Sequence, residues 1–248
     1  MADLTRTVES FAELAAVRPV WTATLVTVLF TTLARWVRGV SLSGAIAGAA
    51  VCFLLYLGAG PGAFVALVSV FALTWISTRF GYRRKEKLGT AEKRDGRTAW
   101  QVLANLTVAS TCAGLSAFGS QRAVFLLAVS AALSEAAADT VSSELGQARS
   151  AKARLITTWK DVAAGTDGGV TWAGTLAGIA TAALVSWVCV LTRLVPFRWF
   201  GISITAAVIG MIADSYLGAL LERRNLLNND AVNFLGTLVA AGAAFLLA

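Results

Sequence analysis

The chain has 248 residues, 57% of them hydrophobic and only 14% charged, with mean hydropathy +0.70 and a formal net charge of +7. A water-soluble domain carries about 25% charged residues, so this composition describes an integral membrane protein. Its positive charge then reflects positive-inside bias and contact with anionic lipid headgroups, not nucleic acid. There is no histidine, which excludes histidine acid–base chemistry and histidine metal ligation.

Residues 1–18 place Leu4, Val8, Phe11 and Leu14 at helical spacing among charged residues, predicting an amphipathic segment on the membrane surface. Residues 19–248 are expected to form a single integral-membrane domain. It contains eight apolar segments, at 19–35, 42–58, 62–78, 100–118, 122–139, 170–192, 197–220 and 231–248. They are about 16 to 23 residues long and do not alternate, which predicts an all-α, polytopic bundle of about seven or eight transmembrane helices. The first segment is short and flanked by Arg18 and Arg35, so its spanning is open. Gly58 to Gly62 forms a tight turn between the second and third. Cys52, Cys112 and Cys189 all fall in apolar segments, without metal-ligand spacing.

The basic residues concentrate in segments 35–41, 79–99, 140–169 and 221–230, which the positive-inside rule places in the cytoplasm. The polar residues then sort to the same face: Gln101 and Asn105, Asp139 and Glu144, Gly165 to Gly169, Asp214 and Ser215, and Asn228, Asn229 and Asn233. Residues 39–48, GVSLSGAIAG, resemble 169–178, GVTWAGTLAG, which suggests a parallel duplication of four spans.

Acidic residues within a membrane segment cost about 2.5–3.5 kcal/mol or more at mid-bilayer. Glu135 and Asp139 share a helix face, and Glu144 lies about 140° further round, joining them only if the helix ends near Ser142-Ser143. These oxygens, with Asp214, suit a hard divalent cation. The plainer readings pair Glu144 with Arg149 and Asp214 with Arg224. Gly165-Thr166-Asp167-Gly168-Gly169 before a helix suits a phosphate, or is simply a loop with Thr166 or Asp167 as cap. It lacks the Gly-Lys-Ser/Thr of a P-loop. Gly218 permits close approach of a helix or ligand. In the basic loop, Arg94 and Arg97 lie nearest the following span.

QVLAN (101–105), ADTVSSELG (138–146), GTDGGV (165–170), DSYLGA (214–219) and NNDAVN (228–233) occur in that order. Together they resemble the integral-membrane family long labelled domain of unknown function 92, over about residues 35–248. That family includes transmembrane protein 19 and the plant phytyl phosphate kinase of tocopherol synthesis. Prolines usually precede its glycine loop; Val162-Ala163-Ala164 stand there in this chain, which is expected to loosen it. Gln is frequent where Glu222 stands, so Glu222 is set aside.

The resemblance implies phosphorylation of an isoprenyl monophosphate to the diphosphate by a nucleoside triphosphate, CTP in the plant case. Asp139, Glu144 and Asp214 would hold Mg²⁺. Arg94, Arg97, Lys160, Gly165, Thr166, Gly168 and Gly169 would bind phosphates. Gln101, Asn105, Ser142, Ser143, Ser215, Asn228, Asn229 and Asn233 would complete the polar shell. The rivals are a transporter or ion pathway, a CTP-dependent cytidylyltransferase, and a prenyl alcohol kinase with Glu135 as base. The absence of a long transit peptide points to a bacterial inner membrane, with the active face cytoplasmic. Prenyl chain length, nucleotide and oligomeric state stay open.

Overall fold

A computed structural model describes residues 20–118, 121–150 and 152–248; the amphipathic segment expected at 1–18 lies outside them. Each of the eight apolar segments is a helix: α1 (Val20–Trp36), α2 (Leu42–Ala59), α3 (Pro61–Arg79), α5 (Ala99–Ser116), α6 (Arg122–Arg149), α7 (Trp172–Leu191), α8 (Phe200–Leu220) and α9 (Asn229–Leu247). One short helix, α4 (Tyr82–Leu88), forms within the basic loop. Among the described residues six helices are long and apolar enough to cross a membrane: α2, α3, α6, α7, α8 with its flanking turns, and α9. α1 is shorter, and α5 is interrupted by Gln101, Asn105, Thr107, Ser110 and Thr111.

α6 is the axis of the bundle. Its apolar stretch is 78% buried, against 33–39% for the other candidate spans, and α3, α5, α7, α8 and α9 all pack on it. Alanines at 128, 131, 132, 136, 137 and 138 allow this, because small side chains let helix backbones approach closely where lipid supplies no hydrophobic drive. A chain of buried hydroxyls adds polar contacts across α6, α7 and α8. Ser186 Oγ lies 3.0 Å from Ser134 Oγ and 2.9 Å from Ser203 Oγ, which lies 2.8 Å from Ser130 Oγ. Ser186→Ala removes the middle of this chain and is expected to cost about 0.6–1.7 kcal/mol, measured by unfolding in bicelles. A neutral result would mean that the hydroxyls re-pair within their own helices.

Four helices begin at the end of the bundle that carries the basic loop. Each has a side-chain cap: Ser41 on α2, Thr98 on α5 in a capping box with Gln101, Thr171 on α7 and Asn228 on α9. Their positive dipole ends therefore gather at one face. The segment between α6 and α7, expected as a loop, is a small antiparallel sheet of order β2-β1-β3, with β1 at Lys152–Leu155, β2 at Asp161–Ala163 and β3 at Gly169–Val170. Val162 and Ala163 pair with β1, so the replacement of prolines before the glycine turn gives a strand, not a looser loop.

The suggested duplication is visible locally. Ser41 accepts from Gly44 N and Thr171 from Gly174 N, and each glycine lies against a backbone carbonyl, of Arg97 and Ser142 respectively. The wider packing differs: α3 and α8 both pack on α6, but α8 also runs along α9, whereas α3 has no comparably close pairing with α5 among the described residues.

Candidate active site

A polar cavity of about 220 Å³ opens at the capped end of the bundle, between α5, α6, α7, α8, α9 and the turn that joins β2 to β3. It gathers most of the expected residues: Arg97, Gln101, Asn105, Asp139, Ser142, Ser143, Glu144, Gly165, Thr166, Gly168, Gly169, Asp214, Ser215, Asn229 and Asn233. The glycine turn sits on the end of α8. Gly168 has φ +70°, and a Cβ there would lie 2.6 Å from the Ala219 backbone nitrogen. A Cβ on Gly218 would lie 3.0 Å from Gly168 N. Both positions must be bare for the turn to reach the cavity wall.

Asp139 on α6 and Asp214 on α8 bring their carboxyl groups within hydrogen-bonding reach of each other. Two carboxyls so placed need a proton or a cation between them. Arg97 faces Asp139 electrostatically and donates to Thr140 Oγ1 at 3.2 Å. Arg97 is fixed by backbone bonds: its N–H donates to Gly39 O at 3.1 Å and its carbonyl accepts from Ser41 N at 2.9 Å. Deeper in the bundle Glu135 is buried, and neither its Oε1 nor Asp214 Oδ2 has a hydrogen-bond partner. A Cβ on Gly236 would come within 2.7 Å of Glu135 Oε1 and 3.3 Å of Asp214 Oδ2, so that glycine makes the space where the acids converge.

The three-carboxylate set expected for a metal does not assemble. Among the described residues no three His, Cys, Asp or Glu side chains group as metal ligands. α6 does not end near Ser142-Ser143 but runs on to Arg149, which turns Glu144 away from Asp139. Its carboxylate is instead taken by Lys85, not by Arg149 as the plainer reading had it. Lys85 is fully buried and also donates to Ser77 O at 3.1 Å and Thr78 O at 2.7 Å, at the C-terminus of α3.

Three of the expected site residues lie elsewhere. Arg94 pairs with Glu86 at 3.2 Å on the surface. Lys160 is exposed in the turn between β1 and β2. Asn228 caps α9, accepting from Ala231 N at 2.9 Å. Gln101 lines the cavity, but its amide is engaged by Thr98 N and by Glu92 Oε2. Residues the sequence reading missed are Lys85, Glu92, Gly236 and Gln147, whose Oε1 is buried and unpartnered at the cavity wall. Gln147 was findable: Glu135, Asp139, Ser143 and Gln147 recur at spacing four along one long helix.

A second cavity, of about 330 Å³ and mostly apolar, lies among α1, α2, α3 and α5. It shares Glu92, Arg97, Gln101 and Asn105 with the polar one.

A family model described as integral membrane protein DUF92 matches residues 25–241, which include every helix that lines the polar cavity. The chain belongs to this family. Among DUF92-like relatives, an uncharacterized membrane protein of Methanocaldococcus jannaschii is 35% identical over 204 residues, 79% of this chain and 80% of the relative. The chloroplastic protein VTE6 of Arabidopsis thaliana is 32% identical over 217 residues, 82% of this chain and 65% of that protein. Protein PGR, also of Arabidopsis thaliana, is 31% identical over 211 residues, 75% of this chain and 73% of the relative. No solved structure matches this DUF92 chain.

Proposed function

We propose that this DUF92 protein is a membrane kinase that moves the terminal phosphoryl group of a nucleoside triphosphate, CTP by the family resemblance, to an isoprenyl monophosphate of phytyl, geranylgeranyl or farnesyl type. The observation that carries this reading is the Asp139–Asp214 carboxyl pair, facing Arg97 and the glycine turn in one polar cavity at the end of an apolar bundle. Positive-inside bias makes that end cytoplasmic, and a bacterial inner membrane is the expected site.

A phosphate monoester is already a nucleophilic anion. Its oxygen attacks the terminal phosphorus, the bond to the bridging oxygen breaks, and the nucleoside diphosphate leaves with that electron pair. No general base is needed, and the protein's task is positioning and charge neutralisation. Arg97 binds phosphate oxygens from one wall, and the glycine turn and the N-terminus of α7 bind them from another. Asn105, Asn229 and Asn233 fill the remaining polar wall. The donor set fits Mg²⁺, which ordinarily takes one or two carboxylates beside substrate phosphates and water. Asp139 and Asp214 would hold it, and the unpartnered Asp214 Oδ2 is a free lone-pair site for it. When bound, Mg²⁺ neutralises the triphosphate charge that develops during transfer.

The test is transfer by purified protein in detergent with Mg²⁺, labelled CTP or ATP, and a panel of prenyl monophosphates. Label is expected in a prenyl diphosphate; no transfer with any pair in folded protein would sink the kinase. An ion pathway is the second reading, favoured by the buried, unpartnered Glu135 Oε1, and flux into liposomes would then be the assay.

A further inference from the structure

We propose that the apolar cavity among α1, α2, α3 and α5 holds the isoprenoid chain of a monophosphate whose head group lies in the polar cavity, and that Gly48 sets how long a chain it admits. The proposal rests on the kinase reading for the identity of the head group. Three observations converge on it.

The first is adjacency. Glu92, Arg97, Gln101 and Asn105 line both cavities, so an amphiphile bound beside Arg97 has its phosphate next to the polar cavity and its tail next to the apolar one. The second is charge. Arg38, Arg79, Lys93 and Arg94 line the cytoplasmic end of the apolar cavity, complementary to an anionic head and opposed to a cationic one. The third is shape. From this end the cavity descends to Phe30, Gly48, Leu67 and Leu106, a depth of about 10 Å along α2 and about 18 Å along α3 at the helical rise. Its lining is predominantly hydrocarbon, which rewards a buried chain at about 0.8 kcal/mol per CH₂.

Gly48 marks the inner end on α2. Its neighbour one turn earlier, Gly44, is explained by packing, since a Cβ there would strike Arg97 O at 2.1 Å. Among the described residues, a Cβ on Gly48 would meet nothing within 4 Å. A glycine inside a helix is about 1 kcal/mol less favourable than alanine, and here no neighbouring atom of the described residues demands it. What its bareness preserves is the depth of the cavity.

The experiment uses the full chain in nanodiscs without nucleotide, so it does not depend on phosphoryl transfer. The probe is geranylgeranyl monophosphate with a diazirine at the far end of its tail, and cross-linked peptides are mapped by mass spectrometry. Label is expected around Phe30, Gly48 and Leu67. Gly48→Phe should reduce that labelling about ten-fold or more, the loss of a few buried CH₂ groups. The same probe built on the shorter geranyl chain should still label the cavity in this variant. Gly242→Phe, on a lipid-facing position where an added Cβ is equally unobstructed, should change nothing. Gly48→Leu serves in place of the Phe variant if the latter unfolds on heating sooner than wild type.

Label spread over the outer faces of α7 to α9, or labelling indifferent to Gly48, would overturn the proposal. So would equal labelling by phosphatidic acid carrying the diazirine at its chain end, since the occupant would then be a membrane lipid. Cavity labelling by the prenyl probe without transfer in the separate assay would reject the kinase and keep the tail site. Transfer without cavity labelling would do the reverse.

Discussion

Asp214→Asn is expected to lower phosphoryl transfer by about 10²–10³-fold, while the folded protein becomes no less resistant to heat. The two carboxyls of Asp139 and Asp214 lie within hydrogen-bonding reach of each other, and Asp214 Oδ2 has no partner. Such a pair is held together at a cost unless something positive sits between its members. An amide at position 214 removes one charge and supplies a permanent donor to Asp139, relieving that cost in the absence of a cation. Sites of this kind exchange stability for function. The same logic predicts that Mg²⁺ protects wild type against heat, by about 2.7 kcal/mol when present at a hundred times its dissociation constant, and that it does not protect the variant. Thermal unfolding with and without Mg²⁺ reads this without any substrate. Wild type indifferent to Mg²⁺, or a variant that transfers phosphate within a few-fold of wild type, would remove the acid pair from the chemistry.

The helices were legible because a bilayer leaves few options. Long, non-alternating apolar runs must be helices, and basic loops bias the ends. The cavity was legible for a related reason. Polar residues inside apolar segments are costly unless they meet each other, so Gln101, Asn105, Asp139, Asp214 and Asn233, from four different motifs, converge on one place. What failed was everything set by packing across elements. The end of α6 is invisible in the sequence because residues 140–149 are polar yet helical, and that extra helix is what sets the direction of Glu144. Lys85 is one basic residue among many in its loop, and only the fold shows that it is fully buried. Arg94 and Lys160 have the right charge and lie near the site in sequence, but their side chains lead to solvent. Gly236 carries no signature at all, since its role is to be absent where two acidic side chains need room.

Lys85→Met is expected to destabilise the protein by about 3 kcal/mol, the lower part of the range for breaking a buried ion pair. The side chain of Lys85 is 0% exposed and that of Glu144 14%, so the pair is screened from water but not sealed from it. The ammonium serves three acceptors on two helices: the Glu144 carboxylate on α6 and the carbonyls of Ser77 and Thr78 at the end of α3. The last carbonyls of a helix have no partner within it, and a cation there also meets the negative end of the dipole. Methionine fills the volume but leaves a carboxylate and two carbonyls without a donor. Glu144→Gln should cost less, because the amide oxygen still accepts and Lys85 keeps both carbonyls. Combining Lys85→Met with Glu144→Leu removes the stranded charge and should recover part of the loss, giving a coupling of about 1–3 kcal/mol in a double-mutant cycle. Activity discriminates further. Lys85 touches none of the proposed reacting groups, so the variants that remain folded should retain transfer at low temperature and lose it on warming along with the fold. A variant that is stable but inactive would instead place Glu144 among the groups that hold the triphosphate, and additive single effects would show that the pair is not a unit.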